Sequence, residues 1–235
     1  MASADEKTST DIRGREVPIE IFKPSAAGRS PGLVVIHEIF GLNDDIRSIA
    51  RRFADEGFVA AAPDLMASGF RLGCIVRVIS ALRAGEGPMV DEVEEVIRML
   101  EGRDDVGKVG AVGFCMGGGF ALLLGTRQKV SAAGVYYGEI RKREELARAC
   151  PLMGGYGGKD RAFLAKANKL INTLDELGKE HDIRIYEDAG HSYMNQAGHP
   201  IGAMLTRPLM HVEYNQKAAE DSWQRMLPFF RKHLN

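Results

Sequence analysis

Val109-Gly-Ala-Val-Gly-Phe114-Cys115-Met-Gly117-Gly-Gly119 is the stretch on which the reading of this chain turns. Its first six residues form a continuous apolar run, the kind that suits a strand buried on both faces of a parallel sheet. The glycines carry the chain through a tight turn, and Gly117 to Leu124 reads as the helix beyond it. A strand feeding a helix in this way is the unit from which doubly wound α/β sheets are built. The turn also has the form G-x-C-x-G, a nucleophile elbow with cysteine in the nucleophile's place. Glycine is needed two residues either side of Cys115, because a side chain there would collide with the turn. Unpaired amides and the dipole at the start of the helix favour a thiolate. The stretch lacks the G-x-x-x-x-G-K-S/T and G-x-G-x-x-G spacings of phosphate-binding loops.

Working outward, Gly32-Leu-Val-Val-Ile-His37, Phe58-Val-Ala-Ala-Ala62 and Ala132-Ala-Gly-Val-Tyr-Tyr137 repeat the apolar-run pattern. Leu152 to Tyr156 and Ile183-Arg-Ile-Tyr186 follow as later strands, while residues 8 to 23 read as a hairpin with one wet face. Helical spacing fills the gaps at Asp44 to Glu56, Val90 to Leu100, Ala162 to Lys179 and about Val212 to His233. This alternation predicts a doubly wound, mostly parallel α/β sheet of about seven or eight strands with helices on both faces. Residues 1–235 read as one such domain. Two segments resist the pattern, 66–87 and 192–211; each follows a strand and is expected to wall a cleft at the carboxyl edge of the sheet.

The 235 residues carry 31 Lys+Arg against 32 Asp+Glu, so the balance offers no electrostatic footprint for nucleic acid or an acidic membrane. No apolar run is long enough to span a bilayer, and Met1 to Thr10 has no secretory pattern, so a cytoplasmic protein is expected. Three widely spaced cysteines, Cys74, Cys115 and Cys150, do not suggest a disulfide framework. The histidines lack H-E-x-x-H or H-x-x-E-H spacing and the cysteines lack a C-x-x-C pair, so neither a metal nor any other cofactor is expected.

A cysteine nucleophile needs a histidine in reach and a carboxylate to orient the imidazole, in the chain order nucleophile, acid, base. Gly157-Gly-Lys-Asp160 lies just past a strand, 45 residues after Cys115, and Ala189-Gly-His191-Ser-Tyr lies past the next, 31 residues further on. Asp160 could instead cap the helix that follows it, and His191 could be a solvated loop residue. His37 also sits at a strand end, but it precedes the nucleophile.

With these residues placed, the chain resembles the dienelactone hydrolase (carboxymethylenebutenolidase) family of α/β-hydrolases. The resemblance rests on His37-Glu38-Ile-Phe-Gly41, Ala62-Pro63-Asp64-Leu65, Gly113-Phe-Cys115-Met-Gly-Gly118, Tyr136-Tyr137-Gly138, Gly155-Tyr-Gly-Gly-Lys-Asp160 and Gly190-His191-Ser-Tyr193. It implies Cys115 as nucleophile, His191 as base, Asp160 as the orienting acid, and Glu38 as a carboxylate against the resting thiol. It further implies an oxyanion hole from the backbone amides of Ile39 and Met116, and a small lactone or ester as substrate. A carboxylate beside a thiol disfavours thiolate, so a neutral Cys115 released by movement of Glu38 is coherent chemistry. In the family, arginines hold the substrate carboxylate. By position the candidates are Arg71, Arg77, Arg83 and Arg207, of which Arg83 and Arg207 are expected to bind substrate together with Tyr137. A broader carboxylesterase on the same triad, or a catalytically silent ligand-binding scaffold, would use the same fold.

Overall fold

The computed structural model describes residues 2–12, 14–67, 71–196 and 209–235, without the side chains of 71–75. Among the described residues eight strands form one sheet: β1 (Glu6–Ile12), β2 (Arg15–Phe22), β3 (Ser30–Ile36), β4 (Val59–Pro63), β5 (Val106–Phe114), β6 (Ala133–Tyr136), β7 (Leu152–Gly157) and β8 (His181–Tyr186). Their spatial order is β1-β2-β4-β3-β5-β6-β7-β8. The first two strands are the antiparallel hairpin expected over 8 to 23, and β2 also runs antiparallel to β4. Every other pairing is parallel. The buried strands are the continuous apolar runs, as the hydrophobic pattern requires.

The helices include α1 (Asp44–Asp55), α2 (Arg71–Ala84), α3 (Pro88–Glu101), α4 (Met116–Thr126), α5 (Arg143–Leu146), α6 (Leu164–Glu176) and, after the last strand, α7 (Gln216–Leu234). From β3 the chain passes through α1 to β4 on one side, and from β5 through α4 to β6 on the other. Right-handed crossovers in opposite directions place the two helices on opposite faces of the sheet. The strand order therefore reverses between β3 and β5, and the crevice where open α/β sheets take their ligands lies at the carboxyl ends of those two strands. Register brings the ends level, with Ile36 opposite Gly113, Phe114 opposite Tyr136, and Gly157 opposite Tyr186. The loops carrying Glu38, Cys115, Asp160 and His191 thus gather along one edge.

Asn43 caps α1 by accepting the Ile46 amide at 3.0 Å, and Asn215 caps α7 by accepting the Ala218 amide at 3.1 Å. The second cap explains why the closing helix starts at Gln216, later than its apolar spacing suggests. Phe53 of α1 packs on Trp223 and Phe230 of α7 with ring centroids 4.8 and 6.2 Å apart, covering one side of the sheet. The apolar piece within 66–87 lies in α2, which rests against α3 and α4. Among the described residues no helix is long and apolar enough to cross a membrane.

Candidate active site

The elbow at Cys115 is built by exclusion of side chains. A Cβ on Gly113 would sit 2.0 Å from the Gly117 carbonyl oxygen, and one on Gly117 would sit 2.2 Å from that of Ile36. Both obstacles are backbone and cannot yield, so only glycine lets α4 approach the ends of β3 and β5 this closely. Cys115 itself is held at φ 53° and ψ −111°, a conformation an L-residue adopts only when the surrounding structure enforces it. Its amide is anchored on the Tyr136 carbonyl at 3.0 Å, while its thiol is partly exposed at the first turn of α4.

The turn after β7 supplies Asp160, fully buried, and its two oxygens divide two tasks. Oδ1 accepts the amides of Ala162 and Phe163 at 3.2 and 3.3 Å, and Oδ2 accepts Nδ1–H of His191 at 2.7 Å. Asp160 thus holds the turn that follows it and the imidazole at once; it does not cap α6, which starts only at Leu164 with Phe163 at its N-cap.

His191 is buried, and its backbone amide is tied to the Met210 carbonyl at 2.8 Å. With Nδ1 committed to Asp160, Nε2 lies on the opposite side of the ring without a hydrogen-bond partner among the described residues. The Cys115 sulfur is its neighbour, within electrostatic reach but short of good hydrogen-bond geometry. Tyr137 and Phe163 flank the imidazole, each with its ring centroid 5.1 Å away. Burial opposes the imidazolium, but the charges of Cys115 and Asp160 outweigh it and raise His191 to about 10.

A histidine raised in the folded state supports folding fully below its unfolded value of about 6.5 and loses that support as pH climbs toward about 10. Urea midpoints measured from about pH 6 to about pH 10 should fall more steeply for the native chain than for His191→Gln. Equal slopes would remove the ion pair from this account.

His37 is a different kind of histidine. It is fully buried, donates from Nδ1 to the Glu38 carbonyl, and accepts the Leu65 amide on Nε2 at 3.0 Å. Both ring nitrogens are committed and burial pushes its pKa down, so it is a neutral brace between the ends of β3 and β4.

Glu38 is brought to the same crevice but does not take the partner expected for it. Its carboxylate Oε1 accepts a hydrogen bond from the Ser192 hydroxyl, and no bond joins it to Cys115. The reason is the turn after His191, where Ser192 adopts φ 57° and its side chain faces back into the crevice. Burial is the main influence on Glu38 and raises its pKa; the Ser192 hydrogen bond and the charge of His191 oppose that rise.

Tyr137 follows β6 at φ 41°, is fully buried, and donates its hydroxyl to Asn195 Oδ1. Its ring, expected on a substrate wall, packs on His191, and its hydroxyl is committed to Asn195. Asn195 in turn donates to Asp45 of α1 at 2.7 Å, so the whole turn bearing the histidine is clamped to the start of that helix. Asp45, Phe163, Ser192 and Asn195 were not singled out by sequence; Ser192 alone had a signal, its adjacency to His191. Arg83 is exposed on α2 and lines a cavity of about 460 Å³ with Leu82, Ile140, Arg141 and Lys166. Neither Cys115 nor His191 is among that cavity's walls. Arg207 and residues 197–208 of the second expected wall lie outside the described residues, as does the side chain of Arg71. Burial pushes the Cys150 thiol up to about 12, in keeping with a packing residue.

Comparison with known proteins sets this chain beside a family. The pattern of the dienelactone hydrolase family matches residues 18–234. A protein of Saccharolobus solfataricus named "Putative carboxymethylenebutenolidase" is 30% identical over 241 residues, covering 85% of this chain and 88% of the relative. One of the same name from Escherichia coli K12 is 28% identical, covering 96% of this chain and 86% of the relative. Among solved structures, a dienelactone hydrolase-like promiscuous phosphotriesterase from metagenomic libraries superposes with a TM-score of 0.81 at 23% identity, covering 98% of both chains. An acylaminoacyl peptidase of Pyrococcus horikoshii does so with a TM-score of 0.70 at 15% identity, covering 97% of this chain and 41% of the other. At these identities the structures speak for the fold, an α/β-hydrolase fold.

Proposed function

Because the chain belongs to the dienelactone hydrolase family, and so to the carboxylic ester hydrolases, we propose that it opens an enol-lactone through Cys115, His191 and Asp160. The observation that carries this is the imidazole of His191, held on one nitrogen by Asp160 at 2.7 Å and presenting the other to the thiol of a strained elbow. In the first step the Cys115 thiolate attacks the lactone carbonyl carbon, forming the carbon–sulfur bond. The tetrahedral oxyanion is met by backbone amides, that of Met116, which opens α4 and has no intrahelical acceptor, and that of Ile39 beyond Glu38. Collapse breaks the ring carbon–oxygen bond, and the enolate leaves, taking the proton that His191 took from the thiol and becoming a ketone. His191 then takes a proton from water, which attacks the thioester, and the carboxylate departs as the thiol is restored. Enolate is a stabilised leaving group, which suits a thiolate nucleophile.

The kcat/KM for dienelactone against that for p-nitrophenyl acetate tests the substrate class: a preference for the lactone is expected, and a preference for the neutral ester would overturn it. Arg83 is proposed to hold the substrate carboxylate from the neighbouring cavity. That cavity lies one side chain from the histidine: the Lys166 ammonium sits 4.4 Å from the centre of the Phe163 ring, which in turn packs on His191. Arg83→Ala should raise KM for dienelactone by about tenfold and leave that for p-nitrophenyl acetate unchanged, a loss of roughly 1.4 kcal/mol of charge-assisted binding. Equal effects on both substrates would exclude a clamp at this position. A second reading, a broader carboxylesterase on the same triad, is favoured by one observation, that the Arg83 cavity does not itself include Cys115.

A further inference from the structure

The carboxyl of Glu38 and the thiol of Cys115 share a crevice, yet each is turned to a different partner. Glu38 accepts from Ser192, and Cys115 faces His191. Ser192 is 6% exposed and sits at φ 57°, immediately after the histidine, so one short turn delivers both the base and the hydroxyl that holds the acid. The backbone of Glu38 is also restrained: its carbonyl accepts from His37 Nδ1 and from the Gly41 amide at 3.2 Å. Only the side chain is left to move. On the far side, Asn195 bonds its own turn to Asp45 and receives the Tyr137 hydroxyl, which keeps Ser192 from drifting.

We propose that Ser192 is the positioning residue that decides where the Glu38 carboxyl rests, holding it clear of the thiol so that His191 governs the ionisation of Cys115. This rests on the reading of Cys115 as nucleophile and His191 as its base. The charged or titratable groups facing Glu38 are His191 on the same turn as Ser192, Asp45 from α1, and Tyr137 at the end of β6. His37 touches only its carbonyl. Of these, Asp45 repels a charged Glu38 and His191 attracts it, so no second group replaces the hydrogen bond that Ser192 makes. Without the hydroxyl, the carboxyl is free to swing to the thiol, where as an anion it disfavours thiolate and as an acid it competes with His191 for the sulfur.

The test is the pH profile of Cys115 alkylation by iodoacetamide, which reads thiolate directly and needs no turnover. Ser192→Gly, which tolerates the left-handed backbone, and Ser192→Ala should each shift the half-maximal rate upward by about one pH unit, a tenfold lower rate on the rising limb. In a Glu38→Ala background the same Ser192 changes should have no effect, because the carboxyl they release is gone. A Ser192 effect that persists undiminished without Glu38 would overturn the proposal, and so would a wild-type profile in the Ser192 variants. Failure of the underlying reading looks different: alkylation at Cys115 in the native chain would then follow an ordinary thiol profile and ignore His191→Gln.

Discussion

Turnover of dienelactone or of an aryl acetate is expected to fall by at least about a thousandfold on Cys115→Ala, because the proposed acyl intermediate forms on its sulfur and the described neighbours are committed to other partners. The structure makes the prediction sharp. Among the described residues, Ser192 is the hydroxyl nearest in sequence to the base, but its Oγ is committed to Glu38. His37 is committed through both ring nitrogens. Alanine removes only a partly exposed thiol, so Cys115→Ala should still unfold cooperatively in urea while activity is lost. Whatever turnover remains measures the oxyanion donors and binding alone. Near-native activity in Cys115→Ala would end the assignment of a cysteine nucleophile.

The second large effect is on the fold. Gly117→Ala is expected to destabilise the chain by roughly 3 kcal/mol or more, since its Cβ would meet the carbonyl oxygens of Ile36 at 2.2 Å and His37 at 2.8 Å. Relief requires α4 to retreat from β3, which would also withdraw Cys115 from the histidine. Gly178→Ala is the comparison: its φ is +60° but nothing lies within 4 Å of the added carbon, so only backbone strain of about 1 kcal/mol is at stake. Midpoints from urea unfolding distinguish the two. If both variants lose the same small amount, close packing of the elbow is not what selects glycine there.

Much of the site was legible in order along the chain. The apolar run before Cys115 demanded a strand, the glycines demanded a turn, and Asp160 and His191 sit past the next strands in the order such a mechanism needs. The contacts with no local signature share one property: their partners are remote. Ser192 and Glu38 stand 154 residues apart, and Asn195 and Asp45 stand 150 apart. No local spacing encodes such pairs, because they meet only after the strand order has reversed between β3 and β5. Tyr137 shows the same limit in reverse. Its place after a strand marks it as near the site, but whether it lines the crevice or backs the histidine depends on what packs above it.

Sequence by itself determined the strands and the glycine turn at Cys115, because these are written in short-range sterics and hydrophobic period; Asp160 and His191 it offered only as candidates, by their order along the chain. Tertiary structure decided the rest: that His37 is a neutral brace, that Asp160 serves the following turn and the imidazole on separate oxygens, and that Glu38 rests on Ser192. Those outcomes follow from burial and from which polar groups share one pocket, and both are properties of the assembled sheet edge, where a desolvated carboxyl or imidazole takes the partner the fold brings within reach.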